Sequence, residues 1–333
     1  MYDDLKPADF EATALMAVEA CAKAGTTAER AQLLAEAGLL GVLAPDDCGG
    51  LGLSMRFGVP IASAAGKGLL AYPLIETMVL ARALAGVAPD MATALCEGSV
   101  IASIAWAGFG DDGVVGRAPL AHEAAQVLVF LADGRAVLVA TDDQVSVDAA
   151  PEFDLDVPEA TLRLSAPPQG IVLSAALVAT LKAEAQFLRT AVVLGSVSAC
   201  LGLASDYAQD RVQFGKLLSA NQALRHRMSR DAVVAETLRS GLARALTAPR
   251  EGAGMARDAL WCWAAQAGPS VAESAIQVLG GMGFTWDVPL HRHLRRMRAL
   301  AHQGAARERL DEIADAVLGS TDNEWYGDIA DAR

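Results

Sequence analysis

The sequence predicts a mainly α protein with a small β domain in its middle: an N-terminal helical domain, a central β domain and a C-terminal antiparallel helix bundle. Three observations carry this. Apolar residues recur every three or four positions through the N-terminal third and again from Ala175 to Leu318, the spacing of one helix face. Between Ser99 and Val172 they change to short β-rich runs separated by Gly and Asp. Breaker-rich stretches punctuate the helical regions, as at 44–52 (APDDCGGLG) and 248–254 (APREGAG). These changes divide the chain into residues 1–98, 99–174 and 175–318, followed by an acidic, flexible tail over 319–333.

The first helical pattern runs from Asp9 to about Leu43, with Ala31, Leu34, Ala37 and Gly38 on one face, and stops at the turn over 44–52. Helices about Arg56 to Ala65 and Pro73 to Ala85 follow, and Pro89 with Asp90 opens a short further one, proline at the first turn and an acid beside it. Strands are expected at Val100 to Ala105, Gln126 to Ala132, Ala136 to Thr141 and Val145 to Val147. Beyond Ala175 the breaks at Gly215, at 248–254 and at Gly280 to Gly283 leave three or four long antiparallel helices. Trp261 and Trp263, in an almost wholly apolar helix, read as bundle core.

Composition bounds the function. A chain of 333 residues that is 53% hydrophobic is long enough for two or three packed layers. Its formal charge of −13 argues against nucleic acid or an anionic membrane as partner, since a phosphate footprint needs a basic face. Cys21, Cys48, Cys96, Cys200 and Cys262 are scattered and never form a CxxC, which favours buried reduced thiols in a cytoplasmic protein over disulfides or zinc. The opening MYDDLKPADFEA has no basic start before an apolar core, so no secretory signal is expected. The greasy stretch from Gly170 to Ala204 is interrupted by Lys182, Glu184 and Arg189, and reads as a buried helix rather than a membrane span.

Three segments, in this order, carry a family resemblance. They are Gly38 to Ser54 (GLLGVLAPDDCGGLGLS), Arg211 to Ser229 (RVQFGKLLSANQALRHRMS) and Ile276 to Met297 (IQVLGGMGFTWDVPLHRHLRRM). They resemble the GxxGxxxPxxxGGxG, RxQFGxxxxxxQxxxHxxA and QxxGGxGF segments of the acyl-CoA dehydrogenases, and the resemblance extends over about residues 9 to 318. It implies FAD as cofactor, an acyl-CoA substrate and an electron-transfer flavoprotein as acceptor. It implies that Arg211, on a helix end, contacts the pyrophosphate and that Phe214 packs on the flavin or adenosine. Gln222 would bond the adenosine, while Gln277, Gly280 and Gly281 line the dinucleotide path, all reaching the FAD of a neighbouring subunit. A fixed guanidinium and a backbone without Cβ suit such a polyanion. An ordinary surface arginine, a core phenylalanine and a helix-capping Gly pair are the alternatives for each residue taken singly.

The departures from the family are as informative. Where it has a segment like LTEPxxGSD, holding the flavin ring and thioester of the same subunit, this chain has SIAWAGFGDDG (Ser103 to Gly113). The α-proton abstraction expected of the family needs a carboxylate, and its two usual positions fall at Gly304 and Ala185. Glu184 lies next to the second and is the candidate base, although a neighbour on a helix points about 100° away and an ion pair with Lys182 is the simpler reading. Asp287 is read as a helix N-cap before Pro289. His291 and His293, two apart on a helix, face away from each other and cannot share a metal ion, and no metal site is expected. Arg292, Arg295, Arg296 and Arg298 form either a phosphate-attracting cluster or a solvated face.

Three functions follow. In the first, the chain is one subunit of a heteromeric acyl-CoA dehydrogenase, similar to bacterial pairs acting on sterol side chains or other bulky acids, and its partner carries the carboxylate. The second is a self-sufficient homo-oligomeric dehydrogenase with Glu184 as base, and the third a scaffold of the same fold that binds no flavin.

Overall fold

A computed structural model describes residues 5–141, 145–149, 153–247 and 253–319. Helices occupy both ends of the described chain and two small sheets its middle, as the change of period predicts. The expected tail over 319–333 lies outside the described residues except for Gly319.

The N-terminal helices are α1 (Asp9–Cys21), α2 (Thr27–Glu36), α3 (Met55–Lys67), α4 (Leu74–Leu84) and α5 (Pro89–Cys96). The expected single helix from Asp9 to Leu43 is therefore two. The break comes from a capping box: Glu29 N–H donates to Thr26 Oγ1 at 3.2 Å and Thr26 N–H to Glu29 Oε2 at 3.1 Å, which starts α2 afresh.

The four-stranded sheet runs in the order β1 (Ala102–Ala105), β3 (Gln126–Phe130), β4 (Ala136–Ala140), β7 (Ile171–Leu173), with β1 parallel to β3 and the other pairs antiparallel. The three-stranded antiparallel sheet is β2 (Val114–Pro119), β6 (Glu159–Leu164), β5 (Val145–Ala149). Strand alternation assigns the faces. Val127, Val129, Val137 and Val139 pack with Val115, Ala118, Ala160 and Leu162 between the sheets, while Leu128, Phe130 and Leu138 turn to the helices. Both helical regions and that sheet face share one hydrophobic core.

Among the described residues the C-terminal region has three long helices, within the expected three or four, α6 (Ala175–Asp210), α7 (Gln222–Ala245) and α8 (Ala253–Leu279), and two shorter ones, α9 (Leu290–Gln303) and α10 (Ala306–Gly319). Thirty-six residues make α6 about 54 Å long. It is apolar and long enough to cross a membrane, but two thirds of its apolar window is buried inside the fold. Its crossing with α3 is backbone on backbone. A Cβ on Gly66 would lie 2.0 Å from the Val192 carbonyl oxygen, and one on Gly195 would lie 1.9 Å from that of Ser63. Ser196 Oγ seals the contact by donating to the Gly66 carbonyl at 3.1 Å. All five cysteines are free thiols and buried, and Trp261 is fully buried, as expected.

Candidate functional site

Two chain breaks come together at one end of the bundle. Arg211 caps the C-terminus of α6 in an extended conformation. Residues Val212–Gln213 (β8) then pair with Lys216–Leu217 (β9) as a two-residue hairpin. The expectation that Arg211 to Gly215 lies on a helix is thus corrected for all but the capping arginine. Phe214 and Gly215 at the tip have φ of 54° and 76°. Two positive φ values in a row are what a tight hairpin turn of matching twist requires. Glycine meets that freely, whereas an unfavourable φ at a side-chain-bearing residue costs about 1–3 kcal/mol and holds the Phe214 ring outward, 97% exposed.

The second break ends α8. Gly280 takes φ 62° to leave the helix, and Gly280 to Phe284 form a 3-10 turn. Gly283 is forced by packing, because a Cβ there would come 2.6 Å from the Ile276 carbonyl oxygen. Gly281 answers to neither demand: its φ is not left-handed and a Cβ would meet nothing within 4 Å. Between the breaks lies a cleft of about 400 Å³ lined by Tyr207, Arg211, Gln213, Leu218, Val278, Leu279 and Gly280 to Met282.

Arg211, Gly280 and Gly281 therefore share one cavity. Gln277 is exposed on the last turn of α8 beside the cleft, and Gln222 opens α7 beyond the hairpin; neither is in the lining. Phe214 projects past it. The side chains of Arg211, Gln222 and Gln277 have no partner among the described residues. Beside the cleft, Phe284 and Trp286 are 75% and 72% exposed, which with Phe214 makes an unusual run of uncovered aromatic surface.

Glu184 lies elsewhere. Its carboxylate pairs with Arg82 at 3.2 Å, not with Lys182, and burial raises its pKa against the pull of the Arg82 charge. The 27 residues from Glu184 to Arg211 put about 40 Å of helix between them. The two usual base positions are closed. Ala185 is fully buried. Gly304 lies under the Trp261 indole, which donates Nε1–H to its carbonyl at 3.0 Å, and a Cβ at 304 would come 2.4 Å from the ring.

The Ser103 to Gly113 segment holds a group the sequence reading missed. Trp106 Nε1–H donates to Glu76 Oε1 at 2.8 Å, and the guanidinium of Arg189 lies over the Trp106 ring at 3.9 Å. Phe130 stands 5.9 Å from Trp106, and Lys182 Nζ lies 4.0 Å over Phe130. Lys182, Ala185 and Arg189 occupy one face of α6. Arg189 is 2% exposed, with Nε and Nη2 unpaired. Burial lowers its pKa to about 10 despite the Glu76 charge, while burial raises that of Glu76 against the Trp106 hydrogen bond. The signal available in the sequence was an arginine amid the apolar run of α6.

The basic helix α9 is structural. Arg296 pairs with Asp154 and donates to the Leu70 carbonyl at 3.1 Å, Arg292 Nε donates to Asp156 at 3.1 Å, and Arg298 pairs with Glu273. These ties lock the 153–156 loop of the β region to the bundle, so this cluster is not free to take up phosphate. Asp287 makes no cap, since Pro289 holds the N-cap position of α9 without a side-chain bond. His291 meets Trp286 edge-on at 4.6 Å while His293 is buried, and no metal-binding group occurs among the described residues.

Comparison with known proteins gives these features a context. Residues 178–317 match the family model for the acyl-CoA dehydrogenase C-terminal domain. The acyl-CoA dehydrogenase FadE34 of Mycobacterium tuberculosis is 31% identical over 281 residues, 80% of this chain but only 39% of that protein, so this chain spans well under half of FadE34. IpdE2 of Mycolicibacterium smegmatis, also an acyl-CoA dehydrogenase, is 27% identical over 86% of each. A chain of the ChsE4–ChsE5 complex from Mycobacterium tuberculosis superposes with a TM-score of 0.85 at 24% identity, covering 97% of this chain and all of the other.

Proposed function

The chain belongs to the acyl-CoA dehydrogenase family, and from this premise we propose that it is one subunit of an FAD-dependent dehydrogenase introducing an α,β double bond into an acyl-CoA thioester. It lends FAD-binding residues across a subunit interface while a partner chain carries the catalytic carboxylate. One observation supports this above all. The cleft at the end of α6 is open and its cation has no partner among the described residues, whereas in the Ser103 to Gly113 region Trp106 is tied to Glu76 and Arg189, and the two positions for a base hold a buried alanine and a glycine under the Trp261 ring.

The cleft residues fit the dinucleotide. Arg211 offers a charge and forked donors to a pyrophosphate. Gly281 leaves its backbone approachable, a freedom the fold itself does not require. Gln222 and Gln277 are free donors and acceptors for the adenosine end, and Phe214 is held outward to reach past its own chain. Bound FAD supplies the acceptor for the β-hydride. This chain's part is to bind and orient that cofactor. The α-proton is taken by the partner, because Glu184 is committed to Arg82. The retained cleft also weighs against a pure scaffold. The proposed acyl group is bulky or sterol-derived, as in the bacterial heteromeric pairs that the sequence resembles, and the proposed acceptor that reoxidises the flavin is an electron-transfer flavoprotein.

The test is expression alone and together with each neighbouring reading frame, followed by flavin absorbance, subunit stoichiometry and acyl-CoA-dependent bleaching. Flavin and bleaching only in a co-purified complex are expected. A yellow single chain that bleaches with acyl-CoA and loses this on Glu184→Gln overturns the proposal in favour of the self-sufficient enzyme.

A further inference from the structure

A second cavity, unrelated to the flavin cleft, lies where α3, α6 and α7 diverge beneath the start of α1. It is an open trough of about 470 Å³, within the size range of small-molecule sites. The helix periods build it. Arg56, Val59, Pro60, Ser63 and Lys67 form one stripe of α3 at spacings of three and four, and Arg239, Leu242, Ala243 and Leu246 form the facing stripe of α7. Leu194 and Ser198 of α6 close its base. Its floor is rigid, because the Gly66 and Gly195 crossing fixes α3 against α6 directly beneath it.

An apolar strip of Val59, Leu194, Leu242 and Leu246 runs through the lining beside the hydroxyls of Ser63 and Ser198, with charged residues around it. Three cations, Arg56, Lys67 and Arg239, face one carboxylate, Glu11, in a chain whose net charge is −13. Arg239 is neutralised by Glu236, but Arg56 and Lys67 have no hydrogen-bond or ion-pair partner among the described residues. Two free cations on one wall of an apolar trough, eleven residues or three helical turns apart, suit an anionic head group with a hydrocarbon body. They do not suit a cation or a neutral lipid, which would leave those charges facing an apolar ligand.

We infer that this trough binds an amphipathic carboxylate, its head on Arg56 or Lys67 and its chain along Val59, Leu194, Leu242 and Leu246. The site is independent of flavin and of any partner subunit. In a protein handling acyl thioesters it gives a free acid a place to bind away from the chemistry.

Titration calorimetry of the 333-residue chain with sodium decanoate tests it, with decyltrimethylammonium as charge control. Saturable binding of one decanoate per chain is expected, with none of the cationic analogue. Replacing both Arg56 and Lys67 by Gln removes the exposed charge contact whichever of the two cations holds the head group, and weakens binding by about two- to fivefold. Ala243→Phe, at an exposed rim position, fills the trough and abolishes binding while the melting temperature stays with the parent. Arg211→Gln, in the flavin cleft, leaves decanoate binding unchanged. Absence of saturable binding, equal binding of the cationic analogue, or binding indifferent to both the double variant and Ala243→Phe overturns the inference. Loss of binding in Arg211→Gln would move the ligand to the flavin cleft and equally overturn it.

Discussion

Gly281 and Gly283, two glycines of one turn, are there for different reasons, and substitution separates them. Gly283 faces the Ile276 backbone, so alanine there puts a methyl 2.6 Å from a carbonyl oxygen and 2.9 Å from a Cα, neither of which is a flexible group. Such overpacking costs about 1–3 kcal/mol. Gly281 has no atom within 4 Å of a would-be Cβ and no left-handed φ, so Gly281→Ala restricts only the unfolded chain and stabilises by about 0.4–1 kcal/mol. Gly281→Val adds two methyls at the mouth of the cleft. It is expected to fold as well as the parent and to strip flavin from the co-purified complex. The assays are urea unfolding followed by far-ultraviolet circular dichroism, and the ratio of flavin to protein absorbance. Full flavin occupancy in Gly281→Val, beside unchanged stability, would refute the assignment of this cleft to the cofactor.

Glu184→Gln is expected to leave the turnover of the complex unchanged, since Arg82 holds that carboxylate outside the proposed site; steady-state kinetics with an acyl-CoA check this. Trp106→Ala removes the ring that carries the Arg189 guanidinium and the Glu76 hydrogen bond, and unfolding by urea should show a loss of about 3–5 kcal/mol. His293 is held neutral by burial and by the Arg296 and Arg292 charges, its pKa lowered from 6.5 to about 3. The unfolded chain therefore binds the extra proton as pH falls through 6.5, and stability is lost from there down to the folded pKa, by up to about 1.4 kcal/mol per pH unit. Thermal melts of His293→Gln should lack that acid-side loss relative to the parent over the same window.

How much of this was legible depends on whether the deciding contacts are local. The helices around α3 and α4 show in the sequence because their buried positions recur within a turn or two. The break between α1 and α2 was equally local, written as Thr26 and Glu29, but the apolar period runs through it and hides it. Strands β2, β6 and β7 escaped. Gly116, Arg117 and Pro119 interrupt the first, with a bulge at Arg117, and β6 carries Glu159 and Arg163 on its outward side. Arg211 and the Gly280–Gly281 pair were legible because their chemistry lies in single short motifs. The Glu76, Trp106 and Arg189 group was not, since three distant segments contribute one residue each and none has a recognisable spacing.

That group and the cleft are joined by one helix, and their contrast gives α6 its meaning. Along its first half, Lys182 and Arg189 are spent on the rings of Phe130 and Trp106, and Arg189 goes so far as to bury two unpaired nitrogens. Burying a guanidinium that way costs several kcal/mol unless something offsets it, and ring stacking with a nearby Glu76 charge offsets only part. A chain selected for stability alone would replace Arg189 with leucine; a chain selected for a substrate cavity there would not fill it with Trp106. At the other end the same helix stops at an arginine with no partner among the described residues, in one cleft with a glycine that has no steric need to be glycine. At the first end the cations are engaged by rings and a carboxylate of the same chain, whereas at the second the described residues offer Arg211 nothing. A ligand reached from outside the chain accounts for the second, which is why the proposed function rests on Arg211 and Gly281 rather than on any carboxylate of this subunit.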